Sequence, residues 1–277
     1  MIKKLIRLIP PHREYVEVFG GGASLLFAKE PAMVETYNDI DSGLVNFFRV
    51  LRNPELFNKF YHLVCLTPYS REEYYHCMDT WADQPDAVER AYRWFIVARM
   101  SFGGIFASSW GSVVSTSRRG MAETTSKWIT CLKALPLIHE RMMTVQIEHD
   151  DWRTILDRYN RVETFAYLDP PYVTNTRSNK KYKHELTDDC HAELVEKILV
   201  YPGMIMLSGY DSSVYSPLTD AGWDLIKVKT ACYAAGRTRH TKIQGEGAAL
   251  KKQPRTECVW RNPACMETIR KVNGGLF

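Results

Sequence analysis

Seven short apolar runs, each bounded by turn residues, constrain this chain more than any other feature: Tyr15 to Phe19, Met33 to Tyr37, Thr144 to Glu148, Thr164 to Leu168, Met204 to Ser208, Leu225 to Lys229 and Glu257 to Arg261. Runs of this length suit strands and are too short for helices. Between several of them lie segments of helical period. Leu44, Phe47, Phe48 and Leu51 share one face, and Leu194, Val195, Ile198 and Leu199 share another behind a Thr187 cap. Strands that alternate with helices predict an α/β sheet with helices on both faces.

From about residue 54 to 143 the strand signal gives way to helical stretches, Val88 to Met100 and Trp128 to Ile138, around a loop rich in Ser, Gly and Trp from Ser101 to Gly120. The expected organisation is therefore a catalytic domain made of residues 1–53 and 144–277, interrupted by an inserted, mainly helical subdomain at 54–143. The closing stretch, Ala264 to Phe277, reads as a loosely held tail. With 277 residues, of which 45% are hydrophobic, the chain can bury a sizeable core.

Several classes are disfavoured at this stage. No run of 18 apolar residues occurs, and Arg7 and two prolines break up the apolar start, so neither a membrane span nor a signal peptide is read. The seven cysteines form no C-x-x-C pair and no zinc-like Cys/His spacing, which points to a reduced, cytoplasmic protein without a metal site. A formal net charge of +4 is too small to name a polyanionic partner, so the clustering of basic residues matters more than their sum.

The sharpest chemical signal is Asp169-Pro170-Pro171-Tyr172, directly after the run that ends at Leu168. Ligands of open α/β sheets bind beyond the carboxyl ends of the strands. Two prolines in succession fix φ, remove donors and restrict the residue before them, so they hold the Asp169 carboxylate and the Pro170 carbonyl as a stiff pair of acceptors. Such a pair suits an exocyclic amine of a nucleobase, whose lone pair is delocalised into the ring. Two acceptors on its two hydrogens draw the nitrogen toward a tetrahedral, reactive geometry. Tyr172 offers a face for stacking a base. The bland alternative is a rigid turn that ends a strand.

A second signal is Glu17-Val18-Phe19-Gly20-Gly21-Gly22, a strand running into glycines ahead of a helix. It lacks the third glycine of the dinucleotide fingerprint, which favours a nucleoside cofactor without a pyrophosphate. Asn38-Asp39-Ile40-Asp41 follows at the end of the next predicted strand, where Asp39 can hold a ribose diol, or where Asn38 or Asp39 can cap the helix from Ser42 to Leu51.

The glycine motif, the insert, Asp169-Pro170-Pro171-Tyr172, Leu207-Ser208-Gly209-Tyr210-Asp211 and Arg255-Thr256-Glu257-Cys258-Val259-Trp260 come in an order similar to the Dam-like, alpha-group N6-adenine-specific DNA methyltransferases of bacterial and prophage type. The resemblance covers nearly the whole chain. It implies a Rossmann-like class I methyltransferase fold with a seven-stranded mixed sheet, S-adenosyl-L-methionine as donor, and an inserted target-recognition region acting on double-stranded DNA. Carried over by residue, Asp169, Pro170, Pro171 and Tyr172 match the amine-binding motif, and Glu17, Phe19, Gly20 and Gly22 the cofactor loop. Asp39 matches the ribose-binding acid, with Asp169 also beside the cofactor. Asp151 resembles the position near the cofactor's adenine, with Asp150 an equal neighbour and a helix cap the plainer role.

Two departures stand out. Val18 replaces the family's usual proline, and the aromatic-x-Gly-Gly-Lys segment that contributes to the methionine side of the pocket is missing, through either an upstream start or an altered pocket.

For DNA, the resemblance points to the segment holding Arg99, Ser101, Ser109, Trp110, Arg118 and Arg119, which mixes base-edge donors with aromatic wedges. Phe102 and Phe106 are as readily core residues. Arg177, Lys180, Lys181 and Lys183 form a basic loop after the catalytic motif, and Arg237 and Arg239 lie in a second basic stretch suited to phosphates. Tyr210 is placed to line the pocket. The same acceptor-Pro-Pro-aromatic pattern serves cytosine N4, RNA adenine and protein glutamine methylation, and an inactive DNA-binding relative would keep the fold. Aspartate in first place and the motif order favour adenine in DNA by resemblance. The recognition sequence, a partner endonuclease, and a monomer or a homodimer on DNA all stay open.

Overall fold

The computed structural model describes residues 1–171, 186–231 and 254–274. All seven expected strands form, each within a few residues of its run: β1 (Glu14–Glu17), β2 (Val34–Asn38), β5 (Gln146–Glu148), β6 (Thr164–Leu168), β7 (Met204–Tyr210), β8 (Asp224–Ala231) and β9 (Pro254–Arg261). They make one mixed sheet in the order β5-β2-β1-β6-β7-β9-β8, and β3 (Ser117–Arg118) with β4 (Met121–Ala122) forms a separate hairpin. The chain divides into two compact units, Met1–Phe19 with Leu156–Phe277, and Gly20–Ile155.

In the first unit, β6 pairs in parallel with β1 and with β7, while β9 runs antiparallel to β7 and to β8. Every residue of β6 is buried. That explains why its sequence is a continuous apolar run and not an alternating one: a parallel strand covered on both faces has no solvent side. Helix α9 (Asp188–Leu199) starts where expected, with the Thr187 hydroxyl accepting from Cys190 N at 3.2 Å. Its inner face is Leu194, Val195 and Ile198, but Leu199 is exposed, one step too far round the helix.

The expected tail is a helix. α11 (Pro263–Gly274) is fastened by Asn262, whose Oδ1 accepts from Ile205 N at 3.0 Å and Cys265 N at 3.1 Å while its Nδ2 donates to Gly203 O at 2.8 Å. One buried amide thus ties the start of β7 to the start of the helix, and Cys265 is fully buried behind it.

The second unit is mainly helical. α3 (Ser42–Arg52), α4 (Pro54–Leu66), α5 (Arg71–Thr80), α6 (Ala87–Met100) and α7 (Glu123–Met142) enclose an aromatic core in which Phe47 stacks on Phe95 at 5.4 Å and meets the edge of Phe60 at 5.7 Å. Asp41, Asn53, Ser70 and Asp86 cap α3, α4, α5 and α6 by accepting from amides of the first turn. The cap of α3 is thus Asp41, and neither Asn38 nor Asp39 takes that role. Among the described residues no helix is long and apolar enough to cross a membrane.

Candidate active site

The first unit supplies Asp169, Pro170 and Pro171. β6 delivers the chain from Leu168, paired with Leu207, into Asp169, whose side chain is exposed while Pro170 beside it is buried. Val18 N donates to Tyr167 O at 3.0 Å, which sets the end of β1 against the motif. Glu17, 2% exposed, lies there, where Tyr15 donates its hydroxyl to Glu17 Oε2 at 3.3 Å. Phe19 and Tyr210 are both half-buried, Tyr210 at the end of β7 opposite Glu257.

Two buried phenols feel the Asp169 charge. Burial and then Asp169 push the Tyr167 hydroxyl well above its ordinary range, with a 2.9 Å bond to Ser208 Oγ acting the other way. Burial and then Asp169 likewise push Tyr215 up, and its hydroxyl lies 2.9 Å from His191 Nδ1. Both phenols therefore stay neutral at working pH. Tyr167 is hidden from sequence reasoning because in a fully apolar run a tyrosine reads as packing, and Tyr215 because it lies in a short polar turn outside every strand run.

The second unit supplies the glycine loop. Asp39 Oδ2 accepts from Gly21 N at 2.7 Å and Oδ1 from Asp41 N at 2.8 Å, so the carboxylate holds the glycine loop. Gly20 lies against the ring of Tyr37: a Cβ there would come within 2.1 Å of the ring. Tyr37 is fully buried, edge-on to Phe48 at 4.7 Å, and donates its hydroxyl to Gly21 O at 2.8 Å. The ring cannot yield cheaply. Gly20→Ala is therefore expected to cost about 1 to 3 kcal/mol by overpacking, read as a lower Tm. By contrast, among the described residues nothing lies nearer than 3.9 Å to a Cβ at Gly22.

Asn38, 1% exposed, clasps the backbone of Asp150, donating to its carbonyl at 3.0 Å and accepting from its N–H at 2.9 Å. The next residue, Asp151, accepts from Arg153 N at 2.9 Å at the start of α8 (Trp152–Arg158) and from Arg153 Nη1 at 3.1 and 3.2 Å. The cap role named for Asp151 is present, and Asn38 is the clasp that sequence reasoning left as one of two possible caps.

Still in the second unit, Arg118, Arg119 and Ser109 are exposed, as is Arg99. Arg119 and Gly120 both take positive φ, 57° and 73°, and join β3 to β4 as the two-residue turn preferred by twisted hairpins. Trp110 is half-buried with the Arg71 guanidinium 4.6 Å from its ring centroid. Ser101 is buried, and its hydroxyl donates to Val97 O at 2.7 Å, so it serves the loop and not the surface. Tyr172, Arg177, Lys180, Lys181, Lys183, Arg237 and Arg239 lie outside the described residues.

A model of the D12 class N6 adenine-specific DNA methyltransferases matches residues 1–215. The chain belongs to that family. No curated protein matches it. As a D12 class DNA adenine methyltransferase, the protein takes DNA as its substrate and adenine N6 as the methyl acceptor. The matched span of this methyltransferase contains the glycine loop, the helices α3 to α7 and Asp169 to Pro171, and stops short of β8, β9 and α11.

Proposed function

We propose that this methyltransferase draws its methyl group from S-adenosyl-L-methionine and acts site-specifically on an adenine turned out of duplex DNA. The observation that carries this reading is the exposed Asp169 carboxylate beside a buried Pro170 at the carboxyl end of β6. The Asp169 carboxylate and the Pro170 carbonyl accept the two amine hydrogens, and Tyr172 stacks on the base. Within a duplex the amine is paired and stacked, so extrusion precedes chemistry.

For the donor, the residues present fit. Gly20 to Gly22 give a backbone cradle with free space at Gly22, Asp39 offers a fixed carboxylate to a ribose diol, and Asp150 or Asp151 stands for the adenine end. Bound there, the sulfonium supplies an electrophilic methyl. The protein's own part is to hold the amine and keep both neighbouring phenols protonated. Calorimetry with S-adenosyl-L-methionine tests the donor assignment apart from turnover: saturable heat is expected from the wild-type protein, and Asp39→Ala is expected to weaken it. A titration without heat would contradict the choice of donor.

Arg99, Ser109, Trp110 and the Arg118–Arg119 hairpin are proposed as the DNA-reading part of the insert, with Arg177, Lys180, Lys181, Lys183, Arg237 and Arg239 on phosphates and Tyr210 lining the base pocket. If Arg118 and Arg119 meet phosphates, replacing both with alanine flattens the plot of log K for DNA against log salt by roughly 1 to 2 in slope. An unchanged slope with weaker binding assigns them to base edges instead.

A further inference from the structure

Within the second unit, three successive residues at the carboxyl end of β2 reach two separate segments. Tyr37 donates its hydroxyl to Gly21 O at 2.8 Å and Asp39 accepts from Gly21 N at 2.7 Å, so one glycine is held at both its polar groups. The Asn38 carbonyl accepts from Gly20 N at 2.8 Å. Its side chain reaches instead to the turn after β5, where Nδ2 donates to Asp150 O at 3.0 Å and Oδ1 accepts from Asp150 N at 2.9 Å.

The place of this clasp matters. In the parallel ladder of β2 and β5 the last pair is Asn38 with Glu148, so the Asn38 amide takes over where the ladder stops. A second tie lies beyond it, with His149 Nε2 3.2 Å from Ile40 O. The turn is also held from its far side, because the Asp151 carboxylate accepts from Arg153 N at 2.9 Å and from Arg153 Nη1 at 3.1 and 3.2 Å. Ligands of open α/β sheets bind beyond the carboxyl ends of the strands, the level at which the glycine loop and the 149–151 turn both emerge.

We propose that Asn38 is a positioning residue that sets donor specificity: by pinning the Asp150 backbone to the end of β2 it fixes the depth of the nucleoside slot, which accepts an unsubstituted purine amine and rejects an enlarged one. This rests on the donor reading above, in which the adenine end of the donor lies at Asp150 or Asp151. Extra atoms pressed against a wall that cannot retreat are costly, and the same atoms against a yielding wall are not. Asn38 acts through Asp150 and not by touching the donor.

The test is calorimetry on the full chain with two ligands, S-adenosyl-L-homocysteine and its derivative methylated on the purine amine. Wild-type protein is expected to bind the first about tenfold tighter or more. Asn38→Ala removes both bonds to Asp150. Asn38→Asp keeps the size and the bond from Asp150 N, but sets a carboxylate oxygen against Asp150 O. Each variant is expected to weaken S-adenosyl-L-homocysteine about three- to tenfold and the methylated ligand far less, so that the preference shrinks to about twofold. A residue that only stabilises the fold would weaken both ligands alike. An unchanged ratio in the variants, or a wild-type protein that binds the two ligands equally, overturns the proposal. If Asn38→Ala loses its fold, the ratio in Asn38→Asp decides alone. A wild-type protein that binds neither ligand overturns the donor reading and the proposal with it; saturable wild-type binding with an unmoved ratio overturns the proposal only.

Discussion

Asp169→Asn is expected to lower kcat by roughly 10²- to 10³-fold, the loss typical when one preorganised polar group at a reacting centre is removed. The substitution keeps size and shape. It replaces an anion that accepts at either oxygen with an amide that turns either a weaker acceptor or a repelling N–H toward the adenine amine. Because Asp169 is exposed and follows a strand whose five residues are all buried, the backbone that carries it stays in place. Tm is therefore expected to hold, and KM for DNA to change far less than kcat, the pattern of an interaction strongest in the transition state. Single-turnover transfer of a labelled methyl group checks this. A variant within a factor of a few of wild type removes Asp169 from the chemistry.

The second large effect concerns stability. Glu35, on β2, is 2% exposed and lies between two cations: Lys29 Nζ at 2.5 Å from Oε1 and Arg141 Nη2 at 2.5 Å from Oε2. Lys29 is itself buried, 6% exposed, and Ala32 N donates to Oε1 at 3.0 Å. Burial alone pushes the carboxyl up, but the Lys29 hydrogen bond, the Ala32 amide and the charges of Lys29 and Arg141 together bring it below its ordinary value. Glu35→Gln leaves a buried ammonium without its counter-charge, and breaking a buried pair from one side costs about 3 to 5 kcal/mol. Denaturant unfolding at neutral pH reads this directly.

The pH dependence has a definite sign. A carboxyl with a lowered folded pKa adds stability that is fully present above the unfolded value, about 4.3 for glutamate, and is lost as pH falls through the lower folded value. The wild type should thus lose its advantage over Glu35→Gln in acid, and the gap between the two melting curves should narrow below that range. A gap that persists unchanged at low pH would show that packing, and not the ionised carboxylate, holds this corner.

How far the sequence led depends on the residue. The strands were legible because β6 and β7 are buried on both faces, and burial on both faces writes a continuous apolar run. Asp169 and Pro170 were legible because proline geometry is local. What stayed hidden depends on distance along the chain. Tyr74 and Ser101 are 27 positions apart, and Asn38 and Asp150 are 112 apart, so no periodicity links them. Asn38, Asp39 and Asp41 are all competent caps, and Asp41, directly before Ser42, is the one that accepts from Gly43 and Leu44 N–H. α11 read as a tail because its hold comes from one asparagine amide and one buried cysteine, not from a long apolar stripe.

The most direct measurement is nucleoside analysis of duplex DNA after incubation with pure protein and methyl-labelled S-adenosyl-L-methionine. If two fixed oxygens at the end of β6 activate an adenine amine, all of the label appears as N6-methyladenine with wild-type protein and almost none with Asp169→Ala. Label on cytosine, or equal label from the two proteins, would contradict it.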